Sequence, residues 1–141
     1  MCPPDHYGIE YEINPWMSRS RGADTGRAAR QWQSLHDTLI RLGAKISLLD
    51  PVPGLPDMVF TANAGMLFGR KFISSRFRPQ VRQGEVPHYE SWFASAGFEV
   101  HHVPEGMFHE GAGDALFCGS TLFGGYRIRS EVRGHQQVGM M

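Results

Sequence analysis

The chain has 141 residues, 41% hydrophobic and 20% charged, enough for one domain with a core. Lys plus Arg and Asp plus Glu number 14 each, so no basic surplus points to nucleic acid or an anionic membrane, and no apolar run approaches the ~20 residues that cross a bilayer. Two cysteines, Cys2 and Cys118, make no disulfide framework, and Met1-Cys2-Pro3-Pro4-Asp5-His6 lacks the basic head and apolar body of a signal peptide; a reducing cytoplasm is the expected setting.

Along the chain, Ile9, Tyr11 and Ile13 alternate and predict a strand running into the loop Asn14-Pro15-Trp16-Met17. Ala28, Trp32, Leu35, Leu39 and Leu42 fall three and four apart and predict an amphipathic helix over 26–42, with Trp32 in the core. Asp24 or Thr25 suits its start and Gly43 its end. Lys45 to Leu49 reads as a short strand, and Pro51 to Pro56 as a rigid connector. Met58-Val59-Phe60 and Ala64 to Phe68 follow as apolar stretches, with a hairpin turn at Gly69-Arg70 before Lys71 to Ser75. A second helix over 87–96 shows Tyr89, Trp92, Phe93 and Ala96 on one face. Phe98, Val100 and His102 alternate in a strand. Ala115 to Cys118 and Thr121 to Phe123 make another hairpin across Gly119-Ser120, and Ser130 to Val138 begins a third helix.

These elements repeat. Met66 to Ile73 aligns with Leu116 to Phe123, fifty positions later, and each hairpin is followed by a basic loop and a helix. Strands with one helix per unit at that period suggest an α/β fold of propeller type, a ring of repeats of which this chain holds fewer than three. In the same register Asn63 matches Gly113 and Phe60 matches Glu110, so these strand ends can converge on one ligand.

Three stretches carry suitable chemistry. In His109-Glu110-Gly111-Ala112-Gly113-Asp114, two carboxylates flank a Gly-Ala-Gly turn ahead of an apolar run. That arrangement suits a planar cation such as a guanidinium, which takes two parallel hydrogen bonds from one carboxylate; the alternative is an acidic turn before a strand. In Pro56 to Gly65, Asp57 and Asn63 stand at the ends of a predicted short strand; alternatively Asp57 caps a turn and Asn63 fills a bulge. Arg76, Arg78 and Arg82 can grip a carboxylate or form a solvated basic loop, and Arg127 and Arg129 face the same way on an extended chain. His101, His102 and His109 lack partners at metal-ligand spacing, so no metal is expected. Cys118 reads as a small core residue.

Met1 to Tyr7, Ile13-Asn14-Pro15-Trp16-Met17, Pro56 to Gly65 and Phe108 to Leu116 together resemble the guanidino-group modifying superfamily of arginine deiminases, amidinotransferases and dimethylarginine dimethylaminohydrolases. The likeness is closest to its arginine dihydrolase branch, which converts arginine to ornithine, ammonia and carbon dioxide. The resemblance runs from residue 1 to about Glu131. It implies a pentein-type α/β propeller of five ββαβ units, of which residues 1–141 would be the N-terminal part, about half of the ring. It implies that Glu110 holds the guanidinium and that Asn14, Asn63, Arg82 and Arg129 contact substrate, the arginines mainly through its α-carboxylate. Asp57 falls at a guanidinium-binding acid of the dimethylarginine hydrolases. Asn63 departs from the aspartate that many relatives place there, and this asparagine is what resembles the dihydrolases. Phe60 and Asp114 complete the candidate substrate-binding set.

The family mechanism implied is attack by a cysteine thiolate on the guanidino carbon, with a histidine relaying protons. Neither that histidine, in a His-x-Asp motif, nor that cysteine has a counterpart in residues 1–141. The expectation is therefore the substrate-binding half of a hydrolase acting on the guanidino group of arginine or a derivative, inactive alone, with no cofactor. Its partners would be arginine or a related guanidino compound and a C-terminal half or a second copy. The other reading is a non-catalytic arginine- or guanidine-binding module, or a subunit that requires a partner chain.

Overall fold

A computed structural model describes residues 1–141, which fall into two compact units, Met1–Thr61 and Ala62–Met141. The first unit is built on helix α1 (Thr25–Arg41). Its N-cap is Asp24, whose carboxylate accepts from the Arg27 N–H at 2.8 Å, and Gly43 takes a positive φ of 86° just past its end. The predicted apolar stripe is present but is not a core. No residue of α1 is buried, Leu35 and Leu42 are exposed, and Trp32 is half-buried, stacked on His36 at 5.2 Å.

Two predicted strands of this unit do not form. Around Asn14 the chain turns instead. The Asn14 Oδ1 accepts from the N–H groups of Trp16 and Met17 at 3.0 and 3.1 Å, a local alternative to ladder pairing. Lys45 to Leu49 pairs with no strand; Ser47 and Leu49 bond only the main chain at Met1. Asp57 is not at a strand end either, because Pro56–Val59 is a 3-10 turn. Pro56 opens it with a preset φ and no N–H to satisfy, and the Phe60 N–H closes on the Asp57 carbonyl at 2.9 Å. A second 3-10 turn, Thr61–Ala64, carries Asn63.

In the second unit the predicted repeat is visible. Strands β1 (Gly65–Phe68) and β2 (Lys71–Ser74) form an antiparallel hairpin with Phe68 opposite Lys71. Strands β4 (Ala115–Cys118) and β5 (Thr121–Gly124) form another, with Cys118 opposite Thr121, and every boundary is displaced by fifty residues. After β2 come a one-turn helix α2 (Gln80–Gln83), helix α3 (Val86–Ser95) and strand β3 (Glu99–His102), which joins the far edge of β2 in parallel. That is a complete ββαβ unit. The second copy is ββα, ending in helix α5 (Val132–Val138). No propeller is seen: there are a three-stranded and a two-stranded sheet, and only the first copy carries its parallel third strand.

Met66, Ile73, Val103, Ala115 and Val138 bury together, so one core joins both hairpins and α5. Each large side chain so buried contributes about 1.5–3 kcal/mol. Tyr89 and the stacked rings of Phe72 and Phe93, 3.8 Å apart, fix α3 on the first sheet. Cys118, expected in the core, is exposed at the turn end of its hairpin. The Gly-Ala-Gly turn is a single helical turn, α4 (Gly111–Asp114). Gly111, at φ 50°, sits where a Cβ would come within 2.5 Å of the Gly65 backbone, so two glycines let the copies touch main chain to main chain.

Candidate functional site

The second unit assembles a polar cluster around Glu110. The residue before it, His109, forms a two-bond antiparallel bridge with Arg76: Arg76 N–H to the His109 carbonyl at 2.8 Å, and His109 N–H to the Arg76 carbonyl at 3.2 Å. Glu110 is thus set at the end of a fixed stretch. Its own N–H donates to the Ser130 hydroxyl at 2.9 Å, and that hydroxyl donates to Asp114 Oδ2 at 2.7 Å.

The Glu110 side chain is 1% exposed. Its Oε2 accepts from the Asn63 amide at 3.2 Å and lies 3.3 Å from Nη1 of Arg129, while Oε1 has no hydrogen-bond partner. Burial pushes its pKa above the ordinary carboxylate value, against the pull of Arg129 and Arg82. Arg129 also reaches Asp114 and the Gly113 carbonyl through Nη2. The missing side chain at Gly113 matters here. A Cβ there would stand 2.2 Å from the Asn63 amide nitrogen, so glycine admits the side chain that contacts Glu110.

Arg82, also buried, makes a two-pronged pair with Glu85, Nε to Oε1 at 2.7 Å and Nη2 to Oε2 at 2.8 Å, and lies over the Phe77 ring at 4.3 Å. His109 is completely buried against His135, with ring centres 5.4 Å apart and neither ring nitrogen hydrogen-bonded. Burial, aided by His135, lowers its pKa to about 4, so it is a neutral ring at pH 7.

Of the sequence-derived set, Glu110, Asn63, Asp114 and Arg129 come together. Arg82 is engaged with Glu85 and is electrostatically felt at Glu110. Asp57, Phe60 and Asn14 belong to the first unit. Asp57 is buried in its 3-10 turn, Phe60 is exposed and in edge contact with Tyr7, and Asn14 is exposed with its side chain in a local turn. The 125–130 segment is not extended as expected. Arg127 has a φ of 113° and its N–H bonds the Ser130 carbonyl, so Arg127 and Arg129 do not form a pair on one face. Ser130, Glu85 and His109 were not singled out for these positions. Glu85 had a signal, three residues from Arg82; Ser130 had none beyond following Arg129.

No group of three or more His, Cys, Asp or Glu has the arrangement a metal ion requires. A cleft of about 260 Å³ opens beside Ser74, Arg76, Phe77, Glu90 and His102; Arg76 of the basic loop lines it, whereas Glu110, Asn63, Asp114, Arg82 and Arg129 do not.

No protein-family profile matches the chain. Among solved structures, a cysteine-to-serine variant of the N-terminal domain of ArgZ, a cyanobacterial arginine dihydrolase, bound to substrate, superimposes with a TM-score of 0.92 at 45% identity, covering 99% of this chain and 52% of that one. The chain is homologous to this arginine dihydrolase domain. The bifunctional arginine dihydrolase/ornithine cyclodeaminase of Synechocystis is 47% identical over 141 residues, 98% of this chain and 20% of the relative. The dimethylarginine dimethylaminohydrolase of Mycobacterium tuberculosis is 39% identical over 98% of this chain and 45% of its own length. The homology thus reaches both arginine dihydrolases and dimethylarginine hydrolases, and the chain spans about half of the dihydrolase domain. No helix is long and apolar enough to cross a membrane.

Proposed function

We propose that residues 1–141 are the N-terminal part of a guanidino-group modifying domain and supply the substrate-binding half of a hydrolase acting on arginine or a related guanidino compound. One observation carries this reading: Glu110 is a buried carboxylate with an unpartnered oxygen, held beside Asn63 and already facing a guanidinium, that of Arg129. A desolvated carboxylate binds a planar cation far better than it binds water-exposed neutral groups, because the fork geometry matches and the charge is little screened. The homologous ArgZ domain has been solved with substrate, with product and, as an asparagine-to-serine variant, covalently bound to a reaction intermediate, which supports the same assignment.

In this reading Glu110 holds the guanidinium, Asn63 fixes the carboxylate rotamer, and Arg82 and Arg129 serve the substrate's anionic end. Asp114 acts through Arg129 and Ser130 rather than on substrate. A thiolate nucleophile is not among the groups gathered here. Cys118 is exposed at the turn end of β4, about 10 Å of strand beyond Ala115, whereas Glu110 is buried ahead of α4. These residues by themselves therefore do not hydrolyse arginine. With the nucleophile and proton relay supplied, the reaction runs to ornithine. Asn63 cannot take up a proton as an aspartate can, and it both donates and accepts. Calorimetric titration of the purified chain with L-arginine tests the reading. Saturable binding lost in Glu110→Gln supports it; no binding, or equal binding by the variant, rejects it. Ammonia release by the isolated chain, abolished in Cys118→Ala, would overturn the inactivity.

A further inference from the structure

Of the three arginines in the basic loop after β2, two are engaged. Arg82 pairs with Glu85, and Arg78 pairs with Glu131 at 3.0 Å and lies over the Phe108 ring at 4.5 Å. Arg76 is the exception: its half-buried guanidinium has neither an acid nor a ring as a partner. It lines the cleft of about 260 Å³ that opens beside the ends of β2 and β3. Two residues earlier, Ser74 lines the same cleft. Ser74 is 2% exposed, and its hydroxyl has no hydrogen-bond partner. Residues two apart on an extended chain share a face, and the two-bond bridge between Arg76 and His109 keeps this stretch extended. The other polar groups at the cleft are already engaged. The Ser75 hydroxyl donates to the Asn63 carbonyl at 2.6 Å, the Gln83 amide donates to the Phe77 carbonyl at 3.0 Å, and Glu90 lies 3.0 Å from His102 Nε2. The remaining walls are apolar, chiefly Phe77, Val86, Val103 and Phe108.

We infer that this cleft is a second ligand site, separate from the Glu110 cluster, and that it takes a small monocarboxylate with an apolar body. A guanidinium without a counter-ion and a buried hydroxyl without an acceptor lack the same thing, an anionic oxygen. A carboxylate supplies two. The arginine fork takes it in parallel hydrogen bonds, and the Ser74 hydroxyl, whose donor is otherwise left unmade, adds another. The apolar walls receive the hydrocarbon part of the ligand, as in small-molecule sites where a few polar groups fix orientation inside an apolar lining. Glu90 on the same cleft sets the charge: it repels a second negative charge, so a monoanion fits better than a phosphate dianion. The polar wall is held before any ligand arrives, because Ser75 and the Arg76 main chain are tied on the side away from the cleft to Asn63 and His109, and little ordering is left to be done on binding.

Nuclear magnetic resonance titration of the labelled 141-residue chain, read at the methyl signals of Val86 and Val103, tests the site with three probes. Isovalerate carries both the charge and the apolar body, isovaleramide has the shape without the charge, and inorganic phosphate has the charge without the body. Isovalerate should shift both valines saturably, and neither of the others should do so at the same concentrations. Arg76→Met should weaken isovalerate about tenfold or more, the scale of a lost charge-assisted pair. Ser74→Ala should weaken it about fivefold, the scale of one hydrogen bond, and it keeps the test open if Arg76→Met does not fold. No saturable shift with isovalerate, or unchanged affinity in both variants, overturns the site. Isovaleramide binding as tightly as isovalerate overturns the recognition of an anion, and phosphate displacing isovalerate overturns the selection of an apolar monocarboxylate.

Discussion

Glu110→Gln should make the folded chain more stable at neutral pH while removing its hold on a guanidinium. Glu110 is buried with one oxygen unpartnered, and burial raises its pKa despite Arg129 and Arg82. A carboxyl that holds its proton more tightly when folded contributes stability that is fully present below its unfolded pKa and lost as pH rises through the folded one. At pH 7 the ionised group is therefore a net cost to the fold. The competing effect is the broken contact with Arg129. Breaking a buried pair costs about 3–5 kcal/mol when the surviving charge is left uncompensated. Arg129 keeps Asp114 and the Gly113 carbonyl and is 42% exposed, so its loss falls towards the ~0–1 kcal/mol of a surface pair. Relieving the desolvated, unsatisfied acceptor, at about 1–3 kcal/mol, wins. The net gain of about 1 kcal/mol corresponds to a rise in Tm of about 3–6 °C. Thermal unfolding followed by circular dichroism at pH 7 and pH 4 measures it, and the gain should shrink at pH 4, where the wild-type carboxyl takes up its proton. A lower Tm for the variant at pH 7 would mean that the Glu110–Arg129 contact holds the fold together, and would refute this reasoning.

Three further outcomes are expected. His109, held neutral with a pKa of about 4, contributes stability that is present above the ordinary histidine pKa and lost as pH falls from there through 4; the loss, about 3 kcal/mol, should appear in urea unfolding of the wild type and be largely absent from His109→Phe, and equal pH slopes would count against it. Gly113→Ala should push the Asn63 amide off Glu110, costing about 1–3 kcal/mol and weakening arginine binding by a larger factor than it lowers Tm; intact affinity would show that Asn63 does not position the carboxylate. Arg82→Met alone should destabilise by about 3–5 kcal/mol because it removes the two-pronged ion pair of the buried Glu85, whereas Arg82→Met with Glu85→Leu should lose less in the same urea assay.

The sequence was most readable where a local rule and a long-range one agree. Both hairpins were visible because a two-residue turn with glycine separates apolar runs, and the fifty-residue register then located each boundary of β4 and β5 from β1 and β2. Helix α1 was visible from its cap and period, yet the period says nothing about what covers the stripe, and Leu35 and Leu42 turn out exposed. Met58-Val59-Phe60 is misleading because a short apolar run has no period of its own, and Pro56, the last residue of the proline-rich connector, opens the 3-10 turn. At the site, Glu110 and Asn63 were legible from the motif and from their place in the repeat. The role of Asp114 was not, because it depends on Arg129 and Ser130 folding back from fifteen and sixteen residues away. His109 shows no unusual pattern in sequence; its low pKa comes mainly from burial, aided by His135.

The most direct test of guanidinium binding at Glu110 is the nuclear magnetic resonance signal of the Asn63 side-chain amide, the group that donates to the anchoring carboxylate. In the isotopically labelled 141-residue chain, L-arginine should shift that signal saturably, while L-citrulline, whose uncharged urea group cannot pair with a carboxylate, should leave it in place. The shift should vanish in Glu110→Gln. An identical response to citrulline, or a shift that survives Glu110→Gln, would contradict the assignment of Glu110 as the guanidinium anchor.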